Sequence, residues 1–245
     1  MATLVNRSLN TKSEDSKTRS LRYSAQRQER LAACLAMIAG FVDAYGIINY
    51  NTYLSFMSGN TTQTGYKTGQ IKFAAAVPSA LAIVFFLGGS FAGALLAHSS
   101  VRRTRRLVLA VVAASLALIF SFTQLGFLSG GVHISVLSFA MGLSNTALSR
   151  VGAESVSLTF VTGTLNKLGV HLAMAVKHLP VPDSQGSWDT QMHRVLILAG
   201  IWTSFLAGAL LSGAATPHFG VWVLFFPMLI LSVLAVSDHT ASQSA

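Results

Sequence analysis

Six apolar runs of about 20 residues each dominate this chain, at roughly 31–50, 74–97, 107–127, 131–149, 194–214 and 219–237. In hydrocarbon every backbone N–H and C=O must find a partner inside the protein, so only helices and closed barrels can span. The runs are long enough for spanning helices, which need about 20 residues. They are too long for barrel strands and lack strict alternation. Only 10% of the residues are charged, against about 25% in soluble domains. The expected fold is all-α, a polytopic membrane helix bundle with about six transmembrane helices. One membrane domain is expected at 29–238, between a disordered basic tail (1–28) and a short tail (239–245).

The net charge of +9 is unevenly placed. Arg7, Lys12, Lys17, Arg19, Arg22, Arg27 and Arg30 precede the first run, and Arg102, Arg103, Arg105 and Arg106 separate the second from the third. Basic residues at such positions set topology. No aromatic residues interleave with them as a nucleic-acid platform would need, so nucleic acid is excluded as a partner. Six crossings with both termini in the cytoplasm place these clusters, Arg150, Lys177 and Arg194 on the inner side of a bacterial inner (plasma) membrane. Lys67 and Lys72 then fall outside, a mild violation. Residues 1–25 lack an apolar core ending in a cleavage site, which argues against a removable signal peptide.

Two short polar strings resemble each other. Residues 53–65 read YLSFMSGNTTQTG and residues 157–169 read SLTFVTGTLNKLG. Phe56, Ser58, Gly59 and Gly65 match Phe160, Thr162, Gly163 and Gly169. Two weaker echoes keep the same order: Gly40-Phe41-Val42-Asp43 with Gly142-Leu143-Ser144-Asn145, and Gly93–Leu96 with Gly208–Leu211. Halves of three crossings each, about 31–127 and 131–237, imply a 3+3 inverted repeat about an axis in the membrane plane. The polar segments 51–70 and 151–178 are then interrupted or re-entrant, and the second is long enough that a crossing of its own stays open.

These segments hold the candidate site: Asp43, Ser58, Gly59, Asn60, Thr61, Asn145, Thr162, Gly163, Thr164, Asn166 and Lys167. Broken helices whose N-termini meet at mid-membrane hold polar or anionic solutes. The competing reading is interhelical packing, with hydroxyls and amides as polar glue. Asp43 is costly in lipid unless paired or hydrated. It is read as a coupling acid or a counter-ion to Lys167, or else as an interfacial acceptor of backbone hydrogen bonds. Cys34 reads as a small packing residue. No HExxH, P-loop, GxSxG or cysteine pair appears, so no enzyme, metal or cofactor is expected.

Gly40-Phe41-Val42-Asp43-Ala44 followed by Phe56-Met57-Ser58-Gly59-Asn60-Thr61 resembles the YoaK-like family of bacterial membrane proteins, a domain-of-unknown-function family. The resemblance covers about residues 30–238. It implies a multi-pass inner-membrane protein and carries no substrate. The residues point to a small secondary transporter or channel for a small polar or anionic solute, with ion coupling a further option, and the resemblance leaves the function open. The alternative is a non-transporting scaffold or sensor. The expected partners are the lipid bilayer, that solute and, given the chain's small size, a second copy in a homodimer.

Overall fold

A computed structural model describes the backbone at 2–97, 104–124, 129–147, 150–151, 154–155 and 161–243, and the side chains at 22–96, 107–123, 129–145 and 161–234. Each of the six apolar runs is helical over its described residues, apart from a short 3-10 turn at the start of the last. Its helices are α1 (Ala2–Tyr50), α2 (Met57–Gly69), α3 (Phe73–Ala97), α4 (Thr104–Gln124), α5 (Gly130–Ala147), α6 (Val161–Val176), α7 (Gln191–Phe219) and α8 (Phe225–Gln243). A 3-10 turn, Gly220–Leu224, separates α7 from α8. The only extended structure among the described residues is a two-residue ladder, Arg150 opposite Ser155 and Val151 opposite Glu154. Arg22–Tyr50, Phe73–Leu96 and the α7–α8 stretch Gln191–Leu234 are long and apolar enough to cross a membrane, and Leu107–Thr123 is a shorter apolar helix. The chain is a polytopic membrane helix bundle.

Helix α1 begins upstream of the first apolar run, at Ala2, within the stretch expected as a basic tail. No glycine or proline occurs before Gly40, and between the Ser and Thr residues of that stretch stand Arg, Lys, Gln and Leu. These residues lose little freedom in a helix, so nothing stops the first span from extending backwards.

Side-chain contacts fix the helix directions. Glu29 lies 3.3 Å from His193, which brings the spanning part of α1 and the start of α7 to one end of the bundle. That end carries Arg22, Arg27, Arg30 and Arg194. At the far end, Tyr50 at the close of α1 stacks on His133 in the first turn of α5. Phe120 of α4 meets Trp222 and Phe225 edge-on, so α8 runs back along α4. Leu109, Leu116 and Ile119 of α4 and Leu231 of α8 are buried in the shared core. Val84, Leu87, Phe91 and Leu95 form an exposed stripe on α3, an apolar face suited to lipid.

Two crossings of the same design hold the centre. A Cβ at Gly40 (α1) would strike the Phe205 carbonyl oxygen of α7, and one at Gly208 (α7) would strike the Met37 carbonyl oxygen of α1. A Cβ at Gly142 (α5) would strike the Phe86 carbonyl of α3, and one at Gly89 (α3) would strike the Phe139 carbonyl of α5. Ser90 Oγ also donates to the Gly142 carbonyl at 3.3 Å. Backbones come this close in membranes only where side chains are absent. The packing therefore matches Phe86-Leu87-Gly88-Gly89 with Phe205-Leu206-Ala207-Gly208. The apparent echo of Gly93–Leu96 in Gly208–Leu211 is not the one the packing uses.

These crossings predict a split among glycines. Gly40→Ala and Gly208→Ala each push two backbones apart and should cost about 1–3 kcal/mol, as overpacking does. Gly65→Ala and Gly169→Ala meet nothing within 4 Å and should be neutral or stabilising through helix propensity. Thermal unfolding in detergent measures the difference, and equal losses in both groups would refute the contact explanation.

Candidate functional site

The site begins where α1 stops. Asn51 adopts φ 52°, and residues 51–56 fold back along the helix they have just left. Non-helical backbone inside a bundle exposes donors that lipid cannot satisfy. Asp43 meets them: its Oδ1 accepts from Leu54 N at 2.8 Å and Ser55 N at 2.6 Å, and its Oδ2 accepts from Ser55 Oγ at 2.7 Å. Asn60 closes the loop from the other side. Its Nδ2 donates to the Tyr53 carbonyl at 2.7 Å, and its Oδ1 accepts from Tyr53 N at 3.1 Å. Thr52, Leu54, Ser55 and Asn60 are consequently buried. Gly59 lies beneath the edge-to-face pair Tyr53–Phe56, and a Cβ there would sit 2.6 Å from the Phe56 ring.

Helix α2 therefore starts beside Asp43, within the bundle, and runs to the far end. There Thr64 Oγ1 donates to Ser79 Oγ of α3 at 2.9 Å. Helix α6 runs the opposite way. Its later turns reach the start of α7, where His171 Nδ1 lies 2.7 Å from Gln191 Oε1 and Gln191 Nε2 donates to the Pro180 carbonyl. At 16 residues, α6 spans about 24 Å and begins beside the middle of α7. The helix of the 151–178 segment thus starts within the bundle and does not cross it whole. The two helix starts meet at one cavity of about 360 Å³, lined by Gly40, Asp43 and Ala44 of α1, Tyr53 and Phe56 before α2, Val161 opening α6, and Phe205 of α7.

The expected site residues divide. Asp43 lines the cavity, while Asn60 and Thr164 are buried in the bundle. Ser58, Thr61, Thr162 and Asn166 are exposed and Gly163, Lys167 and Asn145 are half-buried. Thr61 Oγ1 donates to the Met57 carbonyl of its own helix. Among the described residues the partners of the Asp43 carboxylate are Leu54 and Ser55, and it forms no ion pair. Phe160, the expected counterpart of Phe56, lies outside the described residues, as do 156–159. Tyr53, Ser55, Phe56 and Val161 stand outside the expected site residues, although all four lie in the repeated strings 53–65 and 157–169. Aromatic and hydroxyl residues beside a polar motif carry no signal of their own until the loop's fold-back places them.

A second polar centre ties the α6–α7 loop. Asp189 accepts from Arg194 Nε at 2.9 Å and Arg194 Nη2 at 3.0 Å, a bidentate pair. Burial works against its charge, yet the Arg194 hydrogen bonds and the Gln185 N–H hold the Asp189 carboxyl below its usual range. Thr190 caps α7 by accepting from His193 N.

Residues 31–237 match the family described as protein of unknown function (DUF1275), and the chain belongs to it. It is 28% identical over 210 residues to a UPF0700 transmembrane protein, RA0705, of Rhizobium meliloti (strain 1021), covering 84% of each chain. It is 25% identical over 233 residues to the UPF0700 transmembrane protein YoaK of Bacillus subtilis (strain 168), covering 88% of this chain and 99% of that one. No solved structure matches. The match covers both polar segments and all six apolar runs, and agrees with the resemblance carried by Asp43 and the Ser58–Thr61 string.

The hydrogen bonds of Asp43 predict a graded stability series. Asp43→Asn keeps an oxygen for Leu54 N and Ser55 N and offers Ser55 Oγ an N–H instead of an acceptor, so it should fold with a modest loss. Asp43→Ala leaves three buried donors unanswered, each worth about 1–3 kcal/mol, and should lower the melting temperature sharply or abolish detergent-stable protein. Equal melting of the two variants would show that Asp43 does not hold the loop.

Proposed function

We propose that this member of the DUF1275 family is an inner-membrane secondary transporter or channel for a small solute, built as a 3+3 inverted repeat. The observation that carries the reading is the meeting of α2 and α6. They run to opposite ends of the bundle, and their N-terminal ends share one cavity with Asp43. A helix start carries about half a positive charge from unpaired N–H groups. Broken helices meeting this way form the solute sites of many transporters. The cavity is at the small end of ligand sites, and its lining is mainly apolar and aromatic. It suits a compact solute with one polar end towards the helix starts. Asp43 is its titratable group, the natural candidate for ion coupling. The matched glycine crossings of α1 with α7 and α3 with α5 support the inverted repeat. The basic end supports a cytoplasmic location for both termini under the positive-inside rule. The activity needs no cofactor and no covalent chemistry.

The test is reconstitution of the full chain in liposomes and proton-driven uptake of a panel of labelled amino acids, monocarboxylates and sugars. Flux of at least one solute is expected in the native protein, and loss of coupled flux in Asp43→Asn with the fold retained. Native flux retained in that variant removes Asp43 from the mechanism. No flux of any solute favours the scaffold or sensor reading, in which the basic N-terminal part of α1 holds anionic lipid or a partner; deleting residues 2–25 then abolishes binding.

We also propose a homodimer through α2 and α6. Ser58, Thr61, Thr62, Thr162 and Asn166 are exposed on these two helices, and small polar residues at membrane depth favour helix contact over lipid. In a Cys34→Ser background, Ser58→Cys should form an oxidative dimer in membranes. Leu87→Cys, on the outward stripe of α3, should not. The reverse pattern would place any interface elsewhere.

A further inference from the structure

We propose that the cavity beside Asp43 binds a small organic cation of the methylated-ammonium class. Movement of that cation across the membrane rests on the transporter reading; its binding does not. Asp43 lines the cavity and is buried. A carboxylate at membrane depth is costly without a counter-charge. None of the described lining residues is basic, and among the described residues Asp43 forms no ion pair. Its hydrogen bonds come from Leu54 N, Ser55 N and Ser55 Oγ. These donors are neutral, so they orient the carboxylate and leave its net charge in place. Oδ2 takes the Ser55 hydroxyl and keeps a lone pair for a further partner.

Three aromatic rings share the cavity with that carboxylate: Tyr53, Phe56 and Phe205. Tyr53 and Phe56 stand nearly perpendicular, at 82° with ring centres 5.2 Å apart, and Phe205 comes from a separate helix, α7. Ring faces attract a cation without giving or taking a hydrogen bond. The rest of the wall is hydrocarbon, Ile47, Val161 and Ala209 among it. Only Asp43 and Tyr53 bring side-chain oxygen to the described lining, whereas a hard metal cation needs a shell of oxygens. A primary ammonium carries three N–H donors, more than this wall can accept. A methylated ammonium wears its charge under methyl groups, which suit rings and aliphatic side chains alike. An anion fits worse. The N–H groups of Leu54 and Ser55 that lead into α2 already face Asp43, so an entering anion meets a fixed negative charge. The volume of about 360 Å³ restricts the cation to a compact one.

The experiment uses the full chain in nanodiscs and probes of one shape and different charge: choline, its uncharged isostere with carbon in place of nitrogen, and the tert-butylacetate anion. Tritiated choline and its displacement measure each affinity. Choline should bind saturably, the isostere about tenfold weaker or worse, and the anion not at all. Asp43→Asn keeps an acceptor for the loop, and Phe205→Leu keeps an apolar side chain and the backbone contact with Gly40. Each should weaken choline by about tenfold or more with the fold retained, which the melting temperature checks. No choline binding, an isostere or anion that binds as well, or unchanged choline affinity in either folded variant overturns the proposal. In the liposome assay choline should be carried, or should block the flux of another solute. Choline bound by a protein that moves no solute overturns the transporter reading and keeps the site. Flux of another solute without choline binding overturns the cation assignment and keeps the transporter reading.

Discussion

The carboxylate of Asp43 holds a stretch of chain that membrane physics should forbid. Residues 51–56 leave the helix and turn back into the bundle, where an open N–H finds no water. Asp43 answers two backbone donors and one hydroxyl of that stretch. Asn60 answers both polar groups of Tyr53. With these bonds in place α2 starts inside the bundle; without them the polar string would have to leave the bilayer. The cavity, and the approach of α2 to the start of α6, follow from that local repair.

The repair needs room, and the glycine crossings supply it. Gly40 and Gly208 let α1 and α7 touch backbone to backbone, one turn from Asp43 along α1. That contact brings Phe205 to the cavity wall opposite Asp43. Gly89 and Gly142 do the same for α3 and α5, where Asn145 stands one turn along from Gly142 as Asp43 does from Gly40. The two crossings share geometry, and the two polar residues differ in charge.

The helical class was legible because the apolar runs admit no other spanning structure, and the motif pair was legible because glycine, hydroxyl and amide residues stand out between such runs. The register of the halves was not. Gly-Ala-Leu-Leu recurs exactly as text, whereas the packing follows Phe-Leu-small-Gly, and only backbone contact shows which glycine meets a carbonyl. Asp43 was visible as an acid in an apolar run, but its alternatives differed only in where residues 54 and 55 lie.

An acid used only to cap a loop could be an asparagine. Asparagine also accepts backbone hydrogen bonds and avoids the cost of a charge at membrane depth. The carboxylate at position 43 thus exceeds what the loop requires, and it faces a cavity where two helix starts favour negative charge. The helix starts offset part of the cost of that charge, and any polar solute entering the cavity competes for the same N–H ends. Fold and proposed function therefore meet in one group: the bonds that let α2 begin inside the membrane also leave a charged oxygen pair at the cavity wall.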